Sequence, residues 1–372
     1  MVIVLKLMLN TKVLARSLCN NTYNLISFNT IFIKTKLFGM NIKELVKNYI
    51  PFKSIKGIMP WWLKVGSKMV IYRLPIGDKF WKSIGFFQYD QMEVPEYAYR
   101  AFKNHFDRVT QAKQLEPGFT SLELGPGNSL FSALICRSHG GGDTYMIDVD
   151  NFAIENPQSY VAMADYLTQQ GLAAPQIQSD CGCEASPKDS ASAGRMPPVV
   201  FDDLPLSGLR HRSFTEIMAD CGGVYLTSGL ASLQTIESNS VDFVWSHAVL
   251  EHIRRAEFLE IMKETRRVIS DDGVCSHTVD LKDHLDQSLN NLRFKENFWE
   301  SKFVNDSGIY TNRIRCEEML EIFREAGFEV REVEYDRWQQ LPVPRNALDK
   351  QFQDLSDDEL RISGFSVLLI PV

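Results

Sequence analysis

Between residues 117 and 372, short apolar runs alternate with longer stretches whose apolar positions recur every three or four residues. The first pattern predicts buried strands and the second predicts amphipathic helices. Strands are expected at 119–124, 143–149, 224–227, 240–246, 274–279, from 328 onward, and at 365–370. Helices are expected near 128–138, 157–169, 213–220, 254–269 and 314–326. Seven strands with helices between most of them predict an α/β fold, a doubly wound seven-stranded sheet. Residues 95–109 carry apolar positions at helical spacing and close a helical preface expected over 40–116. Residues 172–208 are rich in Gly, Pro, Ser and Asp without periodicity, and read as an insertion loop.

Composition changes this picture mainly at the front of the chain. The 372 residues are 44% hydrophobic and 23% charged, ordinary for a globular protein. No apolar run is long enough to span a membrane. Seven scattered cysteines form no disulfide framework, so a reduced, cytoplasmic setting is expected. The net charge of -7 is unevenly spread: residues 1–85 sum to +12, leaving -19 for the rest. An acidic body excludes broad nucleic-acid binding. Between Phe52 and Phe87, lysines alternate with aromatics. That pattern reads as a cap with solvated lysines or, alternatively, as weak peripheral contact of residues 40–87 with the inner face of a membrane. Residues 1–39 contain no acid and read as a disordered tail or a start-site extension ahead of Met40. Oligomeric state is not legible.

The densest chemical signal is Ser121-Leu122-Glu123-Leu124-Gly125-Pro126-Gly127-Asn128-Ser129, followed by Asp148 at the end of the next strand. Glycines let backbone approach a ligand closely, and an acid after the second strand accepts hydrogen bonds from ribose hydroxyls. Asp150 is the near alternative to Asp148. A nicotinamide dinucleotide would want a third glycine where Leu130 stands, and Glu123 would repel its pyrophosphate while suiting an ammonium. An NAD(P)-dependent oxidoreductase and a non-catalytic cofactor-binding module are the alternatives to the reading that follows.

The glycine turn resembles the first motif, acid-x-Gly-x-Gly, of the class I S-adenosylmethionine-dependent methyltransferases, with Glu123, Gly125 and Gly127 in the motif positions. Val241 to His252 resembles that family's fourth strand and following helix. Glu325 to Val330 and the last strand resemble its closing antiparallel hairpin. The resemblance covers about residues 117–372. It implies S-adenosylmethionine as cofactor, with Glu123, Gly125, Pro126, Gly127 and Asn128 around the methionine end and Asp148 and Val149 at the ribose. It further implies Ser228, Gly229 and Leu230 at the adenine, and Ser246 and His247 lining the cofactor and substrate pockets. Some members hold a metal through Glu-x-x-Glu-His; here Glu251 and His252 are present but Ala248 replaces the first carboxylate, so no metal is expected.

A hydroxyl acceptor must lose its proton as the new bond forms. The run from Ser276 to His284 offers His284 as first candidate base and His277 as second, with Asp280 orienting the imidazole or the substrate. The plainer reading of that run is a loop cap with surface acids. Arg313 and Arg315 either bind an anionic acceptor or flank a helix capped by Thr311 or Asn312. The expected activity is methyl transfer to an oxygen of a sugar, glycan precursor or small metabolite.

Overall fold

The computed structural model describes residues 61–63, 65–66, 91–172, 213–284 and 286–372. Apart from the helical residues at 61–66 and Leu172, the expectations for residues 1–39, for the stretch 40–87 and for the insertion 172–208 lie outside the described residues.

Seven strands form one sheet: β1 (Ser121–Leu124), β2 (Thr144–Ile147), β3 (Gly223–Leu226), β4 (Val241–His247), β5 (Ile269–Asp280), β6 (Phe328–Arg337) and β7 (Ile362–Pro371). Their order is β3-β2-β1-β4-β5-β7-β6. The first five are parallel, which requires a crossover between each consecutive pair. The last strand runs antiparallel between β5 and β6. The order reverses at β1 and β4, so their carboxyl ends form the crevice where open α/β sheets bind ligands.

The helices of the sheet unit include α1 (Pro95–Ala112), α2 (Phe131–Ser138), α3 (Pro157–Gln169), α4 (Phe214–Asp220), the one-turn α5 (Leu230–Leu233), α6 (Arg255–Val268) and α7 (Cys316–Glu325). Alternation along β4 decides which layer each side chain joins. Phe243 and Trp245 pack with Phe102 of α1, Phe131 of α2 and Tyr160 of α3. Val244 packs on the other face with Phe258 of α6 and Phe323 of α7.

Two compact units are present. The sheet lies in the unit made of Asp90–Asp283, Asn291–Phe294 and Thr311–Val372. This unit includes α1, which the sequence assigned to the preface. The helix buries Ala98, Ala101, Phe102, His105 and Val109 along one stripe. Phe102 meets Phe243 and Trp245 edge-on at centroid distances of 6.0 and 5.6 Å, so α1 is part of the sheet's own core. The other unit comprises Met1–Tyr89, His284–Asn290 and Lys295–Tyr310. Its described part has one-turn helices at Glu296–Trp299 and Lys302–Asn305, and Tyr310 donates to Glu300 Oε2 at 2.8 Å.

Two boundaries differ from expectation. Strand β5 begins at Ile269 because Ile269 pairs with Val241, and a register shift before Phe243 absorbs the extra residues around Gly273. Helix α7 begins at Cys316, and neither Thr311 nor Asn312 caps it: Thr311 accepts from Asn291 Nδ2, while Asn312 donates to the carbonyls of Leu250 and Ile253. No helix among the described residues is long and apolar enough to cross a membrane.

Candidate active site

The glycine turn and the acid after β2 meet at the carboxyl ends of β1 and β2. Gly125 and Gly127 hold φ of +70° and +67°, a left-handed region that favours glycine. A Cβ on Gly125 would lie 2.5 Å from Val249 Cγ1, whereas one on Gly127 would meet nothing within 4 Å. Gly125 thus serves close packing, and Gly127 faces open space. Asp148 Oδ2 accepts from Gly127 N at 3.1 Å, and Oδ1 accepts from Val149 N at 2.8 Å. The Asp148 carbonyl accepts from Gly229 N at 2.8 Å, which brings the loop after β3 to the same place. Burial pushes the Asp148 carboxyl up to about 6, opposed by its two backbone donors and aided by the charge of Asp150. Asp150 is exposed and takes its own neighbour, Asn151 N, at 2.7 Å.

The structure therefore brings Gly127, Asp148, Val149 and Gly229 together. Val149 is 74% exposed, and Gly229 lies against it. Ser228 donates its N–H to Ser232 Oγ at 2.9 Å, and Leu230 opens α5. Glu123, at the end of β1, is 2% exposed. Pro126 is buried, and Asn128 reaches Glu93 with its amide at 3.2 Å. A buried acid at one side, a glycine facing open space and a second acid at the other fit a ligand with an ammonium at one end and vicinal hydroxyls at the other.

Other sequence candidates lie elsewhere. Ser246 and His277 are fully buried and bond to each other, Oγ to Nδ1, at 2.8 Å. The His277 ring stacks on Phe323, and burial pushes it down to about 3, so it is a neutral core residue. The parity of the two strands turns both side chains into the α6–α7 layer, which removes Ser246 from the pocket lining and His277 from the bases. Asp280 is half-buried at the end of β5, where it accepts from Lys282 N at 2.9 Å and pairs with Lys282 Nζ at 3.0 Å. His284 belongs to the other compact unit. Arg313 and Arg315 are buried rather than open to an anion. Arg313 donates to the Phe294 carbonyl, and Arg315 donates to the carbonyls of Leu281, Glu359, Leu360 and Ile362.

Sequence reasoning missed a polar chain under α1. His247, one residue past Ser246, faces the opposite layer. Its Nδ1 lies 3.4 Å from Nε2 of His105, whose Nδ1 lies 2.8 Å from Ser276 Oγ. Arg108 donates to the same Oγ at 3.3 Å. Tyr97 meets the His247 ring edge-on at 6.2 Å. Burial, then Arg100 and Arg108, lower the His247 pKa, and Asp280 opposes them. The available signal was a histidine within the apolar stripe of α1. Glu251, weighed in the sequence only as part of an incomplete metal motif, is 2% exposed, and burial pushes its carboxyl well up.

A family model described as "Methyltransferase domain" matches residues 213–276, from α4 through most of β5. The matched stretch and the strand order are consistent with a class I, S-adenosylmethionine-dependent methyltransferase domain, which the sheet unit resembles. No curated protein matches the chain. Among solved structures, phosphoethanolamine N-methyltransferase 2 of Haemonchus contortus is similar at 13% identity and a TM-score of 0.38, over 73% of this chain and 52% of that one. This chain thus spans about half of that relative. An S-adenosylmethionine-dependent methyltransferase of Mesorhizobium loti is similar at 13% identity and a TM-score of 0.34, over 74% and 97% of the two chains. Likenesses this slight say nothing about the acceptor.

Proposed function

We propose that this protein transfers the methyl group of S-adenosylmethionine to an oxygen of a small hydroxylated acceptor, such as a sugar, a glycan precursor or a metabolite. The observation that carries the cofactor half is Asp148 bound to the N–H of Gly127, an acid and an open glycine turn at the switch point of the sheet. Asp148 holds the ribose hydroxyls, Glu123 faces the ammonium, and Gly229 with Leu230 lies along the base. When bound, the cofactor supplies an electrophilic methyl group on a sulfonium. The chain's main contribution is to hold the acceptor oxygen in line with that carbon, which converts a collision into a step within one complex. Asp280, held by Lys282 at the end of β5, orients the acceptor hydroxyl. An oxygen acceptor is favoured by the imidazole and carboxylates at this end of the sheet, since a hydroxyl needs its proton removed during transfer.

The test is incubation with 13C-methyl S-adenosylmethionine and separate pools of sugars, sugar phosphates and hydroxylated metabolites, read by carbon NMR. An O-methyl resonance that depends on the enzyme is expected. Exclusive N-methyl or C-methyl products would refute the oxygen assignment, and hydride transfer from a reduced nicotinamide would refute the methyltransferase.

A further inference from the structure

The compact unit that does not carry the sheet exposes aromatics for which the methyltransferase reading has no use. Five large aromatic side chains stand exposed among the described residues: Trp62, Phe152, Phe298, Phe303 and Tyr335. Two belong to the sheet unit. The Arg337 guanidinium lies over the Tyr335 ring, 4.7 Å from its centroid, and Phe152 sits in the loop after β2 that follows Asp148. The other three are Trp62 at 50%, Phe298 at 41% and Phe303 at 48% exposure. All three lie in the unit of Met1–Tyr89, His284–Asn290 and Lys295–Tyr310, which contributes only about a tenth of the described residues. Phe298 and Phe303 are held out by local structure. In each one-turn helix the next residue turns inward, and Trp299 and Val304 are fully buried. Ser301 Oγ donates to the Phe298 carbonyl at 2.6 Å, and Asn305 Nδ2 donates to the Glu300 carbonyl at 3.3 Å. Lys302, beside Phe303, is 92% exposed. Trp62 stands on helical residues 61–63, and its sequence neighbours include Lys56, Lys64 and Lys68. The unit is also the basic one: its three segments sum to +10, against -17 for the sheet unit.

We infer that this unit docks on an anionic phospholipid surface, with Trp62, Phe298 and Phe303 entering the headgroup boundary and the lysines of residues 1–89 supplying the attraction. Exposed rings that a pinned turn directs outward mark an interaction surface, because burying them removes apolar area from water. Charge decides which partner fits. A second copy meeting this surface with its own would bring +10 against +10. A nucleic acid would match the charge, but twelve of the fourteen basic residues in 1–89 are lysines. Arginine is the residue whose planar fork grips phosphates and stacks on bases, whereas lysine is a compact point charge suited to a diffuse anionic surface. Neither half of the surface suffices alone. Charge without rings gives loose contact that salt removes, and rings without charge give no preference for an anionic lipid. The inference involves no step of methyl transfer and stands independently of the proposed activity.

The test is sedimentation of the full-length protein with vesicles of phosphatidylcholine alone and of phosphatidylcholine with about a third phosphatidylserine, at about 50 and about 500 mM salt. Capture by the anionic vesicles only, with release at the higher salt, is expected. The double variant Phe298→Ser, Phe303→Ser and the single variant Trp62→Ser should each be captured at least about tenfold more weakly. The substituted side chains are exposed, and circular dichroism checks that each variant is folded. Absence of wild-type capture at the lower salt overturns the inference whether or not the variants fold. Equal capture by neutral vesicles, or undiminished capture of both folded variants, overturns it as well. Anisotropy with a labelled RNA duplex and sedimentation velocity are run on the same samples. RNA binding or self-association that both variants abolish, without vesicle capture, would assign the surface to that partner and overturn the lipid.

Discussion

At the scale of single residues, the two glycines of the turn separate by what surrounds them. Gly125→Ala adds left-handed strain and drives a methyl into Val249, whose branched side chain has little freedom to turn away. A loss of about 2–4 kcal/mol in urea denaturation is expected. Gly127→Ala meets no atom and should lose only about 1–2 kcal/mol from its backbone conformation, while weakening the cofactor site it faces. Asp148 gives a pH signature. Its folded pKa, pushed up to about 6, exceeds the ordinary carboxylate value, so ligand-free protein loses stability as pH rises from about 4 to 6. Ribose hydroxyls favour the ionised carboxylate, so S-adenosylhomocysteine should bind more weakly as pH falls through about 6 in calorimetry, and Asp148→Asn should flatten that dependence. These residues were legible because spacing alone relates a glycine turn to the next strand's acid. The parity of Ser246 and His247 was not exploited: neighbours on a strand were both assigned to the pocket, although only one can face each layer.

At the scale of elements, the layers are held by polar pins that hydrophobic periodicity does not reveal. Arg315 ties the start of α7 to the carbonyls of Leu281, Glu359, Leu360 and Ile362, and Arg315→Met orphans those buried acceptors. A loss on the order of 3 kcal/mol is expected by urea denaturation, and Arg315→Lys should recover only part of it. His277 binds β4 to β5 through Ser246. Its folded pKa, pushed down to about 3, lies below the unfolded value, so the unfolded chain takes up the proton first and stability is lost as pH falls from about 6.5 towards 3. His277→Gln should make that acid loss shallower in denaturation curves, while leaving methyl transfer measurable because the side chain faces the core. A histidine at the end of an acid-rich strand looks the same in sequence whether it faces a substrate or a phenylalanine. Only the pairing of Ser246 with His277 in the sheet decides it.

At the scale of the whole molecule, the sequence resolved the sheet well because parallel strands buried on both faces read as plain apolar runs, and each helix between them carries its own period. Strand β7 was legible as an apolar run, whereas β6, antiparallel to it and exposed along most of its length, was placed only at its start by Phe328-Glu329-Val330. The division of the chain was less so. Helix α1 was grouped with the basic preface, yet it packs its aromatic stripe into the sheet and supplies His105, Arg108 and Tyr97 to the polar end of β4 and β5. Composition changes gradually there, and the nearest breakers, Gly85 and Pro95, flank the start of the unit at Asp90 rather than mark it. The central claim is that the glycine turn after β1 and the acid after β2 bind S-adenosylmethionine through Asp148. Isothermal calorimetry with S-adenosylhomocysteine and with NAD, on wild type and on Asp148→Ala, tests it most directly. S-adenosylhomocysteine should bind the wild type and weaken at least about tenfold in the variant, as expected for losing charge-assisted hydrogen bonds. Binding of NAD in its place, or equal S-adenosylhomocysteine binding by a folded Asp148→Ala, would contradict it.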